Sequence, residues 1–277
     1  MRFLFAVHII QQNVWIGGNG KVNHFLELKS VSYSYQTMEA ETLALKEISL
    51  QIEEGEFISI VGPSGCGKST LLNLICGLIQ PDEGEILLKG KAMDQTAMNI
   101  GYMLQKDHLF EWRTIYSNVT LGLELQHKLD SDSRMRVDNM LKTYGLSEFA
   151  ASRPSQLSGG MRQRAALIRT LAMEPELLLL DEPFSALDYQ TRLGVCDDIY
   201  DILKKENKTA ILVTHDLSEA ISVGDRVVIL SSRPAKIRNI VALDFDKNLT
   251  PLQRRNAKPF ASYFNTIWKE LQENECS

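Results

Sequence analysis

The stretch Gly62-Pro63-Ser64-Gly65-Cys66-Gly67-Lys68-Ser69-Thr70 decides how this chain folds. It reads G-x-x-x-x-G-K-[ST], the pattern of a phosphate-binding loop. Phe57-Ile58-Ser59-Ile60-Val61 precedes it and predicts a buried strand, and Leu71-Leu72-Asn73-Leu74-Ile75 follows with helical spacing. A strand–loop–helix setting is the context this motif needs. The glycines let the backbone turn tightly and aim successive N–H groups at one anion, and the positive end of the following helix adds to them. Lys68 is expected to reach the β- and γ-phosphates of a nucleotide, and the Ser69 hydroxyl to bind Mg²⁺. At average residue usage the four fixed positions match by chance in roughly 1% of chains this long, and the flanking strand and helix reduce that further.

The chain has 277 residues, which suits one large α/β domain or one domain with an inserted subdomain. Apolar content of 44% and charged content of 23% are ordinary for a globular chain. A net charge of −5 excludes the basic footprint of a nucleic-acid binder, so no nucleic-acid partner is expected. No apolar run approaches the ~18–20 residues that span a bilayer, so any membrane role is expected to come through a partner. The four cysteines, Cys66, Cys76, Cys196 and Cys276, show neither pairing nor metal spacing and predict free thiols. Cys66 stands at a helix N-terminus beside Lys68, a setting that lowers a thiol pKa. It is expected to be a nucleotide-protected reactive thiol; the competing reading has its sulfur turned to the core and inert.

Residues 1–24 carry a short apolar run, Phe3 to Ile10, interrupted by Gln11, Gln12 and Asn13 and followed by no small-residue cleavage pattern. A disordered extension is expected there, or a translated leader with the true start near Val22. Phe25 to Leu28, Val31 to Tyr35 and Ala44 to Ile52 alternate as strands do, so the first part of the chain reads as antiparallel and edge-forming. From Ile58 onward apolar runs alternate with helical stretches, which predicts a mainly parallel sheet. Residues 106–165 break that rhythm and predict a helical insertion. Leu177-Leu178-Leu179-Leu180 predicts a central strand buried on both faces. A helix over 189–206, strands at Thr209–Val213 and Arg226–Leu230, and a helical tail over 251–277 follow.

Asp181-Glu182 ends the apolar run. One carboxylate there can hold Mg²⁺, usually through water, and its neighbour can orient or deprotonate an attacking water. Alone the pair would be an ordinary acidic strand end; the phosphate loop gives it meaning. Upstream lies Leu157-Ser158-Gly159-Gly160-Met161-Arg162-Gln163-Arg164. This resembles the LSGGQ-type signature of ABC ATPases, with Met in the fifth place. Other matches follow in the family's order: Gln105 at the Q-loop, Ser185-Ala186-Leu187-Asp188 as the D-loop and His215 as the switch histidine. Tyr35 matches the adenine-stacking aromatic, with Tyr33 a close competitor.

The resemblance covers residues 25 to about 240 and implies an ABC ATPase domain over 25–250. Its fold class is α/β: a P-loop NTPase core with a mainly parallel sheet, an N-terminal antiparallel β-subdomain and an inserted α-helical subdomain. It implies that two subunits sandwich two ATP molecules head to tail, the phosphate loop of one facing the signature of the other. Tyr35 would then stack on adenine, and Gly62 to Thr70 would hold the phosphates. Ser69, Gln105 and Asp181 would surround Mg²⁺, Glu182 would be the general base, and His215 would touch the γ-phosphate. Ser158, Gly159 and Gly160 would reach the partner's γ-phosphate, with Asp188 beside the nucleotide. A Ser followed by two glycines at a helix start does offer unhindered donors to an anion.

Phe110-Glu111-Trp112-Arg113-Thr114-Ile115 is similar to the "PWRTV"-like stretch of importers for nitrate, sulfonates and taurine, with Glu111 in place of the usual Pro. Ser232-Arg233-Pro234-Ala235-Lys236-Ile237 resembles that subfamily's "SxRPGxI" segment; pyrimidine-precursor importers share much of the pattern. The resemblance implies a homodimer of ATPase subunits on the cytoplasmic face of the cell membrane. Its partners would be an integral membrane permease and, indirectly, an extracellular solute-binding protein. Trp112 and Arg113 are expected on the permease-docking surface, or else packed into the helical insertion. Soluble ABC ATPases carry long coiled coils or two ATPase domains, neither of which is present here, and a non-hydrolysing scaffold would not need Glu182, His215 and Lys68.

Overall fold

Two long strands start the described chain: β1 (Leu26–Gln36) and β2 (Glu41–Ile52), paired antiparallel as their alternation predicts. The structure is a computed structural model and describes residues 24–36, 40–92, 100–185, 187–205, 207–246 and 248–275. The expected N-terminal extension lies, His24 apart, outside them, as do Ala186 and Cys276. A tight turn at Gly55 leads into β3 (Phe57–Val61), buried at every position, and the phosphate loop passes into α1 (Lys68–Ile75).

The chain then leaves the rhythm read from the sequence. β4 (Glu83–Leu88) returns to pair antiparallel with β1, and β5 (Lys91–Ala92) pairs with β4, giving a sheet of order β2-β1-β4-β5. Gly84 permits that return: its φ is +84°, and a Cβ there would stand 2.3 Å from the Lys29 carbonyl oxygen.

The second sheet comprises β3, β6 (Ile100–Met103), β7 (Leu177–Asp181), β8 (Thr209–Val213), β9 (Arg226–Leu230) and β10 (Ile237–Ala242), in the order β10-β9-β3-β8-β7-β6. All pairings are parallel except that of the edge strand β10 with β9. Side chains alternate between two apolar clusters along the middle strands. Leu178, Leu180, Ala210 and Leu212 face one, and Leu177, Leu179, Ile211 and Val213 face the other. That is why a run of four leucines is a strand here: both faces are covered. β10 is an edge strand, and its residues alternate between half-buried and exposed positions.

Between β6 and β7 stands the helical insertion: α2 (Ile115–Val119), α3 (Leu121–Leu125), α4 (Ser131–Thr143) and α5 (Gly159–Leu171). Its starts are capped as the sequence allows. Thr114, Asp130 and Ser158 each accept a hydrogen bond from the backbone N–H three residues on. α6 (Tyr189–Lys205) and α7 (Leu217–Val223) follow β7 and β8. The tail forms α8 (Pro251–Arg255) and α9 (Lys258–Glu275), and Ile267 of α9 is fully buried in a third cluster with Leu217, Ile221 and Val227.

Candidate functional site

β3 delivers the phosphate loop to the end of the parallel sheet where the strands finish. Gly67 holds φ +124°, and a Cβ there would come within 2.8 Å of the Leu45 side chain on β2, so neither the backbone angle nor the space admits another residue easily. Lys68 is buried, and its Nζ donates to the carbonyls of Gly62 (2.8 Å) and Pro63 (2.9 Å). The loop opens on a cleft of about 600 Å³ lined by Ser64, Gly65, Lys68, Ser69, Thr70, Gln105, Glu182, His215 and Arg233 among others. Residues far apart in sequence therefore face one space.

The end of β7 supplies the carboxylates. Asp181 is buried, and its carboxyl hydrogen-bonds the Ser69 side chain; desolvation pushes its pKa up, against the pull of Ser69 and Lys68. Glu182 holds a left-handed φ of +46°, a conformation that costs a non-glycine residue on the order of 1 kcal/mol. Its amide donates to the Val213 carbonyl (2.8 Å), and its own carbonyl accepts from the Ser185 amide and hydroxyl (3.2 and 3.0 Å), which fixes the turn. The carboxylate is held at both oxygens: Gln105 Nε2 donates to Oε2 at 2.9 Å, and His215 Nδ1 lies 3.3 Å from Oε1.

The donor set fits Mg²⁺. Ser69, Gln105 and Asp181 offer hard oxygens around a desolvated carboxylate. Among the described residues no group of three or more His, Cys, Asp or Glu gathers to cage a metal. A cation here would be completed by phosphate and water, as Mg²⁺ prefers.

Sequence reasoning missed the supports of His215. Asp216 caps α7, accepting from the amides of Ser218 and Glu219 (2.8 and 3.2 Å), and Thr214 Oγ1 accepts from the Asp216 amide (3.0 Å). Arg192 of α6 donates to Asp216 (3.1 Å) and to the Leu187 carbonyl (3.1 Å) and lies 3.4 Å from buried Glu219. Burial pushes the Glu219 carboxyl up in pKa, and the Thr214 hydroxyl donates to it at 2.6 Å. Only a spacing across three elements joins these residues, and no local motif signals that.

Tyr35 lies on β1 with its hydroxyl 2.9 Å from Thr70 Oγ1, and Tyr33 packs edge-on against its ring. Ser158 caps α5 with Gly159 and Gly160 behind it, and a Cβ on Gly160 would come within 3.2 Å of Leu187. None of these three signature residues lines the phosphate cleft of its own chain. Asp188 is exposed, and hydrogen bonds from the Thr191 side chain and then the Thr191 amide lower its carboxyl pKa.

After Gln105 the chain turns at Phe110 to Arg113. The Phe110 and Trp112 rings meet at a tilt of 41° with centroids 4.7 Å apart, and Trp112 is 73% exposed, so it is not packed into the insertion. Arg113 instead turns inward and pairs with Glu124. Asn118, fully buried, holds the turn: its Oδ1 accepts from the Phe110 amide (2.7 Å), and its Nδ2 donates to the Phe110 and Thr114 carbonyls (both 3.0 Å).

Cys66 departs from expectation. Its thiol is 1% exposed within the cluster around Leu71 and Leu72, and burial raises its pKa despite Lys68 and Arg233 nearby. Desolvation of a thiolate outweighs the loop's positive field, so the thiol turned to the core is the correct reading.

Comparison with known proteins agrees with this geometry. The family model described as "ABC transporter" matches residues 45–185. An uncharacterized ABC transporter ATP-binding protein of Bacillus subtilis, YtlC, is 46% identical over 252 residues, covering 91% of this chain and 97% of that protein. The aliphatic sulfonates import ATP-binding protein SsuB of Bacillus licheniformis is 37% identical, covering 85% of this chain and 89% of its own. The nitrate import ATP-binding protein NrtC of Synechococcus elongatus is 41% identical over 83% of this chain and 36% of its own. Among solved structures, the dimeric post-hydrolysis state of the ATP-binding cassette MJ0796 bound to ADP and phosphate superposes with a TM-score of 0.72. It is 33% identical and covers 80% of this chain and all of that one.

Proposed function

The chain belongs to the ABC transporter family of ATP-hydrolysing subunits, and from that premise we propose that it powers a membrane importer of nitrate, sulfonates, taurine or a related small solute. The observation that carries the catalytic part is the bracketing of Glu182 by Gln105 and His215 at the mouth of the phosphate loop. The importer part is supported by relatives named for nitrate and aliphatic sulfonate import.

In this reading water attacks the γ-phosphorus while the Glu182 carboxylate accepts its proton, so that ADP and phosphate leave. Lys68 gives up the Gly62 and Pro63 carbonyls for phosphate oxygens, and His215 donates to the γ-phosphate. Gln105 orients Glu182 until substrate arrives, and Arg192 holds the turn that carries His215. Mg²⁺, held by Ser69 with Gln105 and Asp181, would neutralise charge on the β- and γ-oxygens. Tyr35 would stack on adenine.

ABC ATPase cassettes dimerise, and the Ser158 end of α5, standing away from its own cleft, would complete the site of a second copy. No helix among the described residues is long and apolar enough to cross a membrane; like the relatives named for import, the subunit would bind a permease, at the cytoplasmic membrane face. The exposed Phe110–Trp112 pair supports that docking role. Uptake by vesicles holding this subunit and its co-purified permease, with nitrate, taurine, alkanesulfonates and pyrimidine precursors compared, tests the reading. ATP-dependent uptake of one of the first three supports it, and uptake of a pyrimidine precursor alone overturns the solute class.

A further inference from the structure

Arg233 belongs to none of the nucleotide motifs, yet it lines the phosphate cleft with Gly65, Lys68 and Ser69. It stands on the 231–236 turn between β9 and β10, and that turn is fastened from two sides. Ala235 is buried; its amide donates to the Ala44 carbonyl and its carbonyl accepts from the Lys46 amide, both at 2.9 Å, tying the turn to β2. Across the turn the Ser231 amide donates to the Lys236 carbonyl (2.9 Å), and the Lys236 amide donates to Ser231 Oγ (3.0 Å). The guanidinium is thus delivered to the loop by backbone anchored to the same strand that Gly67 packs against.

Arg233 Nη2 donates to the Gly65 carbonyl at 2.9 Å, and no carboxylate among the described residues pairs with it. Arginine has five N–H donors in a fixed fork, and the Gly65 bond takes one. Its charge is felt inside the loop, where it opposes the effect of burial on Cys66. Lys68 bonds the loop carbonyls at Gly62 and Pro63 while Arg233 bonds the one at Gly65, so two cations bracket the segment that cradles phosphate.

We propose that Arg233 is a second cationic nucleotide-binding residue, whose guanidinium contacts the polyphosphate of bound ATP alongside Lys68. The proposal rests on reading this cleft as the ATP site. A guanidinium matches phosphate oxygens in geometry and charge, and its remaining donors suit the anion better than a neutral loop does. Because Arg233 is exposed, solvent screens it, and its contribution is smaller than that of buried Lys68.

The test is equilibrium binding of ATP, ADP and AMP to the wild type and to Arg233→Ala, Arg233→Lys, Arg233→Gln and Lys68→Ala, with folding checked by circular dichroism. Arg233→Ala is expected to weaken ATP binding roughly two- to fivefold, the scale of a solvent-exposed charge contact. The loss should shrink from ATP to ADP to AMP and at high salt, and Arg233→Lys should recover most of it while Arg233→Gln does not. Recovery by Gln and not by Lys would mean a neutral brace on Gly65 and overturn the proposal. Unchanged affinity in Arg233→Ala beside a weakened Lys68→Ala would also overturn it while leaving the cleft assignment intact. Unchanged affinity in Lys68→Ala would instead remove the assignment on which it rests. If the Ala variant does not fold, the Lys and Gln pair decides.

Discussion

Gln105 Nε2 donates to Glu182 Oε2 at 2.9 Å, so the chain that leads to the Phe110–Trp112 turn is tied to the proposed general base. Glu182→Gln keeps that shape and removes the proton acceptor. Hydrolysis is expected to slow by roughly 10²–10⁴-fold while ATP binding persists. Single-turnover kinetics with a separate binding isotherm checks both parts; wild-type turnover would show that Glu182 is not the base.

Asp181 yields a prediction about pH. Its pKa is raised by burial, so the folded state holds the proton more tightly than the unfolded state does. Stability is therefore fully present below its ordinary value of 3.8 and is lost as pH rises through the raised folded value. Asp181→Asn removes that loss. The isolated subunit is expected to melt higher than wild type at pH 7, with the gain shrinking toward pH 4, while ATP hydrolysis falls. Melting curves across that range check the sign.

The exposed Trp112 and the buried Asn118 should separate docking from folding. Trp112→Ala is expected to abolish transport and leave the isolated subunit's ATPase activity and melting temperature near wild type. Asn118→Ala leaves the Phe110 amide without its acceptor and takes one donor from each of the Phe110 and Thr114 carbonyls, which keep the backbone amides of Arg113 and residue 118, and is expected to cost about 1–3 kcal/mol of stability. Denaturant titration reads the second effect and vesicle uptake the first. Unfolding of the Trp112 variant would mean that the indole packs.

Cys66 should resist alkylation. With a buried thiol of raised pKa, native protein is expected to react with N-ethylmaleimide at Cys66 far more slowly than denatured protein, with or without MgATP. Peptide mapping after timed quenching measures it. Fast, nucleotide-protected labelling at Cys66 would restore the reactive-thiol reading.

What the sequence made legible was whatever sits on contiguous residues. The phosphate loop, the four leucines before Asp181 and the Ser158 cap each carry their reason locally, in a glycine, an uninterrupted apolar run or a hydroxyl before a helix. Arg192, Asn118 and Glu219 gained meaning only from contacts the fold creates, and Arg233, legible as part of a subfamily segment, gained its place at the phosphate loop only there; an arginine or asparagine alone in sequence looks like solvated surface. Cys66 was misread for a related reason: position in the loop told of the positive field, whereas the larger desolvation came from burial in the apolar cluster that also holds Leu71 and Leu72. β4 was obscured because its return to β1 depends on one glycine approaching a distant carbonyl.

The Ser158 helix end and the phosphate cleft occupy separate places on one chain. If each working site draws its halves from two chains, catalysis by the free subunit obeys mass action. At concentrations well below the dimer dissociation constant, the initial rate would rise with the square of protein concentration, and specific activity would fall on dilution. A permease presenting two docking positions would remove that dependence by holding two copies at high effective concentration.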